Sequence, residues 1–485
     1  MAARPLTNGR TNGSAHPQNQ YHDAAEERRR EHHEADIVII GAGIAGCALA
    51  VALGNQGRSV LLLERSLKEP DRIVGELLQP DGVLALEKLG LRHCLEGIDA
   101  IRVLGYNVVY HGDPVRIPYP QDANDKQFEG RCFHHGRLIV NLRRAAQSTP
   151  NVTVVETKAV SLVKSTHGDQ VLGVQCVTNG EKDFFFAPLT VVADGYASIF
   201  RKEYLPHTPR VKSKFWGLEL IDAEFPVPHY GHVILGDIPP VLIYQIGTHE
   251  TRALVDIPEN LPSASVQNGG VKGYLRNVVL PSLPKSFQPA FSAAIDKGGF
   301  RSMPNSFLPP ATNKTPGLMF LGDSLNMRHP LTGGGMTVAF NDVVALRDLL
   351  SPENIADFSD TRLVLKQLSK FHWKRKESSS VINILAQALY SLFAADNPHL
   401  KVLQRGCFRY FQLGMIDGPV SLLAGLVRRP LVLFRHFYTV AFLSIWLLLR
   451  SAPPYMLPFT ILQCFIVFFT ACQVILPFIL AELRT

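Results

Sequence analysis

Tryptophan is scarce, 3 residues against 27 phenylalanines in a chain of 485, and there are only 7 cysteines. The cysteines stand at 47, 94, 132, 176, 407, 464 and 472, with no CxxC pair and no zinc-ligand spacing. The pattern excludes a disulfide framework, gives no reason to expect a metal, and predicts reduced thiols in a body facing the cytosol. No apolar h-region opens the chain, so no secretory signal is expected. Residues 1–35 are polar, end in "EERRREHHE" and read as disordered. Internal repeats are absent. Charged residues make up 19% of the chain, and none occurs from Ser451 to Ala481.

That uncharged run contains "YMLPFTILQCFIVFFTACQVILPFIL", 26 residues, which exceeds the roughly 20 that cross a bilayer as a helix. Pro458 and Pro477 would bend or bound it. The preceding "FYTVAFLSIWLLL", Phe437–Leu449, is shorter than a span and lies between Arg435 and Arg450, which suits a re-entrant or interfacial helix. A buried globular helix is the alternative for either. Residues 401–450 carry seven Lys/Arg and one acid, Asp417. Such a block beside apolar sequence suits an anionic membrane face, and equally a solvated basic face.

The rest of the chain is patterned for an α/β body. "DIVII", Asp36–Ile40, reads as a buried parallel strand, "GAGIAGCALAVALGNQG" as a glycine turn opening a helix, and "SVLLLER", Ser59–Arg65, as a second buried strand. Helical spacing marks His134–Ser148. Strand patterns mark "VTVVE", "PLTVVADGYASIFR" and "GLMFLGDS". Between about 211 and 300, strand-like runs alternate with Pro/Gly turns, which predicts a mixed sheet of its own. After residue 350 the pattern is mostly helical.

Gly41-x-Gly43-x-x-Gly46 therefore lies between a strand and a helix. Gly41 permits the tight turn, Gly43 lets backbone approach a pyrophosphate, and Gly46 allows close helix–strand packing, with Ile44 and Ala45 opening the helix toward the phosphates. Glu64 ends the second strand 18 residues beyond Gly46, where an acid accepts ribose hydroxyls. This context predicts a dinucleotide without choosing NAD or FAD.

Two later stretches make the choice. "ADGYASIFR" and "GDS" each follow a strand, and the second leads into "HPLTGGGMTVAFND", residues 329–342. In this order the motifs resemble the flavoprotein monooxygenases of the aromatic-hydroxylase type. By that resemblance Asp323 bonds the ribityl chain of non-covalent FAD. Pro330 sets a turn, and Gly333–Gly335 lets backbone approach the flavin's pyrimidine edge. The following helix then aims its positive end at N1–C2=O. The implied fold is α/β: a Rossmann-like FAD-binding domain of the glutathione-reductase/aromatic-hydroxylase type, with an inserted mixed β-sheet substrate domain and a C-terminal helical membrane-anchoring region. The expected boundaries are 36–205 with 301–350 for FAD, 206–300 for substrate, 351–430 for a helical cap, and 431–485 for hydrophobic helices.

With "PDRIVGELLQPDG", "FHHGR" and the aromatic-rich tail added, the chain is similar to the squalene monooxygenase (squalene epoxidase) family, of fungal kind. The resemblance places Glu64, Arg65, Arg72, Arg137, Asp323 and Met336 on FAD-contact positions, beside Gly334 and Gly335 of the glycine run. It makes Tyr106, hydrogen-bonded to Gln79, a substrate-orienting pair, and lets Leu389 and Phe393 wall the substrate cavity. Where the family often has "LQPGG", this chain has Asp81, a departure expected to affect only a turn. His329 is expected to serve the turn rather than acid/base chemistry.

The implied reaction epoxidises squalene to (S)-2,3-oxidosqualene with molecular oxygen through a flavin C4a-hydroperoxide, in ergosterol biosynthesis, with no essential general acid or base. There is no second GxGxxG in a βαβ context, so electrons are expected from NADPH through a microsomal NADPH-cytochrome reductase; direct, transient NADPH docking is the alternative. The implied setting is a lipid bilayer of the endoplasmic reticulum, body toward the cytosol, with lipid droplets as a second surface and no nucleic acid partner. The rival readings are a polyprenyl-lipid flavoprotein such as a prenyl reductase, and a non-catalytic FAD-binding membrane scaffold. A tryptophan halogenase is disfavoured, because Trp216, Trp373 and Trp446 are isolated and WxWxIP is absent.

Overall fold

Four-residue apolar strands have to be buried on both faces, and these are. The computed structural model describes residues 33–483, so most of the stretch read as disordered, residues 1–32, lies outside the described residues. Ile37–Ile40 is wholly buried and pairs in parallel with Val60–Glu64 on one side and Leu189–Val192 on the other. Leu318–Phe320 and Val152–Glu156 complete a five-stranded parallel sheet. The helices Ile44–Gly54, His135–Ser148 and Gly335–Leu349 contribute the apolar side chains that cover it. Ala35 is also buried, its N–H on the carbonyl of Phe186, so the last residue of the stretch read as disordered belongs to the fold.

The mixed sheet is wider than expected. Its seven strands run, edge to edge, Arg301–Phe307, Arg210–Ile221, Glu250–Pro258, Val241–Gln245, Tyr230–Leu235, Gly105–Tyr110 and Asp113–Pro118. Three strands lie outside the expected 206–300: Arg301–Phe307, paired with Arg210–Ile221, and two from before residue 120, because Gly105–Tyr110 pairs in parallel with Tyr230–Leu235. That pairing is long-range and leaves no local pattern. It places Tyr106 on the wall between the two sheets.

Helices Thr361–Ala394 and Pro398–Gln412 follow. The last two, Pro430–Ser451 and Leu457–Leu483, are each long and apolar enough to cross a membrane. The first of these corrects the expected short segment: the helix starts at Pro430 and carries Arg435 inside it. In the second, Thr460, Cys464, Val467, Ala471 and Val474 face the protein, while Phe459, Leu462, Phe465 and Phe469 face outward. The inward face, which also holds Ile475, is mostly small or β-branched, and the large apolar side chains outside match a helix that lies against lipid.

Candidate functional site

One cavity of about 810 Å³ runs from the glycine turn of the parallel sheet to the mixed sheet. At its first end, Gly41 has φ +105, and a Cβ there would sit 2.6 Å from the Ala193 carbonyl oxygen. A Cβ on Gly46 would meet the Gly41 carbonyl oxygen at 1.9 Å. Gly43 has nothing within 4 Å of its Cβ position and lines the cavity. The helix begins at Ile44 with no side chain capping it, leaving N–H groups available to an anion. Glu64 accepts the Ala42 N–H at 2.9 Å and lines the same wall.

A second uncapped helix, Gly335–Leu349, starts on the same cavity. The turn Pro330–Thr332 precedes it. His329 Nδ1 accepts the Leu331 N–H, so this histidine holds the turn. Gly333 has φ +62 and lies against Leu77, and a Cβ on Gly334 would be 2.5 Å from Ile382 Cγ2. Gly335 meets nothing. Asp323 also lines the cavity. Burial raises its carboxyl's pKa, against the pull of Arg328, Arg72 and Arg201. Open glycines at two free helix ends, with an acid between them, fit the pyrophosphate and flavin ends of FAD.

The far end is apolar, walled by Val103, Val233, Leu242, Leu254, Met303 and Leu331. Tyr106 is buried on this wall and receives the Gln79 amide N–H. Gln79 also donates to the Thr332 carbonyl at 2.6 Å, and Tyr119 Oη donates to Gln79 Oε1 at 2.6 Å. Burial pushes the Tyr106 phenol up to about 12. Glu76, fully buried, takes a bidentate bond from Arg252 (both 2.9 Å) and one from Tyr244. Its carboxyl is raised by burial and pulled back by Arg252.

Most of the expected cofactor residues meet here: Gly41, Gly43, Ile44, Ala45, Glu64, Arg65, Arg72, Asp323, Pro330, Gly335 and Met336 line the cavity. Gly46 and Gly334 shape the two turns from behind. Arg137 is not brought to the cavity; it faces the Ile98 carbonyl and Asp99. Arg143, on the same helix, takes the inner place. It donates to the Ala42 and Lys68 carbonyls at 3.0 Å and lies 3.4 Å from Glu64. The signal was present: Leu138, Ile139, Leu142 and Ala146 form the buried stripe, and Arg143 sits within it. Leu389 and Phe393 do not line the cavity either; they pack in the apolar cluster behind its wall. Asp81 is no mere turn residue. It is buried, accepts Arg428 at 2.8 Å and Asn341 at 2.8 Å, and ties the second helix to the C-terminal region. The cysteines are free, and no cluster suited to a metal occurs among the described residues.

A model of the squalene epoxidase family matches residues 186–462, and an FAD binding domain model matches residues 34–255. The chain is 68% identical over 462 residues to squalene epoxidase erg1 of Aspergillus fumigatus, covering 95% of this chain and 96% of that protein. It is 50% identical to squalene epoxidase ERG1 of Gibberella zeae, covering 95% and 98%. Among solved structures, PqsL of P. aeruginosa in complex with 2-aminobenzoylacetate aligns with a TM-score of 0.64 at 20% identity. It covers 74% of this chain and 97% of PqsL, a likeness of fold alone.

Proposed function

The chain belongs to the squalene epoxidase family and is an FAD-dependent monooxygenase that epoxidises squalene in sterol biosynthesis; on that premise we propose how its own residues serve the reaction. The observation that carries the proposal is one continuous cavity, polar at the glycine turns and apolar at the mixed sheet. FAD, when bound, supplies the activation of dioxygen.

Gly43 and the Ile44 helix end hold the pyrophosphate. Glu64 accepts the ribose hydroxyls, steadied by Arg143. Asp323 bonds the ribityl chain, and Gly335 with Met336 seats the pyrimidine edge against a helix N-terminus, where negative charge is favoured. A C30 hydrocarbon has no polar handle, so Val233, Leu242, Leu254 and Met303 bind it by buried apolar area and keep water out. Gln79 joins Tyr106 to the Thr332 carbonyl, so the substrate wall and the turn before the glycine run are held in fixed relation. No side chain is assigned as general acid or base.

The remaining proposals concern setting. Electrons come from NADPH through a membrane reductase, and the body rests on the cytosolic face of the endoplasmic reticulum, its two last helices in the bilayer. Support comes from the outward phenylalanines of Leu457–Leu483, the Arg450 guanidinium over the Trp446 ring at 5.1 Å, an interfacial pairing, and the unpaired cysteines. The test reconstitutes the full chain in lipid nanodiscs with squalene, oxygen, NADPH and a microsomal reductase. Epoxide is expected by mass spectrometry, and loss of both bound flavin and epoxide in Asp323→Ala. Bound flavin unaffected by Asp323→Ala would overturn the cofactor assignment.

A further inference from the structure

The apolar helix Leu457–Leu483, uncharged as far as Ala481, places its first carboxylate inside the protein. Glu482, near the end of Leu457–Leu483, is 6% exposed. A buried carboxylate costs several kcal/mol unless it is matched; here one carboxylate oxygen is matched and the other, Oε2, has no hydrogen-bond partner. Its Oε1 accepts Asn383 Nδ2 at 2.7 Å, and its main-chain carbonyl accepts the Lys376 ammonium. Asn383 passes the contact inward, donating at 3.1 Å to Asn326 Oδ1. That oxygen also takes Arg328 Nη2 at 2.9 Å and Arg375 Nη2 at 3.3 Å, while Asn326 Nδ2 is committed to the Leu308 carbonyl at 2.7 Å. Arg375 in turn grips the buried Asp342.

Arg328 is where this relay meets the site. It lines the cavity, its Nη1 reaches the Gly335 carbonyl at 3.5 Å, and it is the foremost charge acting on Asp323. One amide oxygen, on Asn326, thus fixes both the end of the tail and the cation behind the cofactor acid. A group that only anchored the helix would have no need of this connection.

We infer that seating of the last helix and binding of FAD are energetically coupled through Asn383, Asn326 and Arg328, with Glu482 as a positioning residue for the cofactor site. The inference rests on Asp323 and Gly335 facing FAD. Loss of Glu482 frees Asn383, Asn326 then holds Arg328 less well, and the Asp323–Gly335 end of the cavity loosens. Coupling is reciprocal, so FAD in its turn holds the tail down.

The test uses the full chain in detergent, stripped of flavin and titrated with FAD by flavin fluorescence. Hydrogen exchange of the amides in 474–483 is measured with and without FAD. Glu482→Ala is expected to raise the FAD Kd about five-fold or more. Asn383→Ala, which cuts the relay with the carboxylate left in place, should do the same and covers the case in which the first variant folds poorly. In the unaltered chain FAD should slow exchange at 474–483, and in Asn383→Ala it should not. Leu480→Ala, an exposed change on the same helix, should leave the FAD Kd within about two-fold. If both relay variants speed exchange in the last turn while the Kd stays unchanged, Glu482 is an anchor only and the coupling is overturned. If the unaltered chain binds no FAD, the cofactor reading fails first and takes the inference with it.

Discussion

Two glycine motifs bracket the cavity, and they are built alike although nothing in their spacing says so. In Gly41-x-Gly43-x-x-Gly46, the first and last glycines are filled from outside by the backbone of Ala193 and of Gly41. In Gly333–Gly335, the first two are pressed by Leu77 and Ile382. Each motif leaves one glycine open toward the cavity, Gly43 and Gly335. A glycine run is thus mostly packing, with one position left for a ligand. The difference lies in what presses on the closed glycines: backbone in the first motif, side chains in the second.

That difference ranks the outcomes of substitution. Gly46→Ala drives a methyl into the Gly41 carbonyl, which cannot retreat without breaking the strand–helix turn. We expect no soluble folded protein, checked by expression and circular dichroism. Survival with normal flavin would break the distinction between backbone and side-chain contacts. Gly334→Ala clashes with the Ile382 side chain, whose helix can give by a few tenths of an ångström more readily than a strand–helix turn. A loss of about 1–3 kcal/mol in unfolding free energy is expected, with Ile382→Ala in the same chain, which removes the clashing Cγ2, relieving the overlap.

The open glycines should behave in the opposite way. Gly43→Ala and Gly335→Ala are expected to leave the flavin-free protein's melting temperature nearly unchanged. Each should weaken FAD about ten-fold, a difference of roughly 1.4 kcal/mol, seen as a smaller rise in melting temperature on adding FAD. Equal melting shifts with FAD in variant and parent would mean that these positions do not face the cofactor. The smallest effect is expected at Arg137→Ala, within about 0.5 kcal/mol for FAD binding, because that side chain points to Asp99; Arg143→Ala, beside Glu64, should exceed it clearly in the same titration.

The same contrast shows what could be read from the chain. Strand–glycine–helix order is local, so the first motif and Glu64 were legible from pattern, whereas the "GDS" turn took its meaning from the order of motifs and the resemblance it carries. Arg137 was placed on the cofactor by resemblance alone; which face of its helix looks inward is shown by the apolar stripe, and the cation inside that stripe is Arg143. Asp81 could not be placed, since its partner Arg428 is 347 residues away. The two strands from before residue 120 were hidden for the same reason: a parallel pairing between residues near 107 and 232 is a property of the folded body. Relay residues such as Asn326 and Asn383 carry no motif, and their meaning comes from sharing one oxygen atom.

The mixed sheet ends at both margins in strands that contain proline: Pro114 and Pro118 at one edge and Pro304 at the other. Proline has no N–H to offer a further strand, so neither margin is a good template for a neighbour. Molecules gathered on a lipid surface meet one another far more often than molecules free in three dimensions. For such a crowd, a sheet with proline at both margins is a safeguard against edge-to-edge polymerisation.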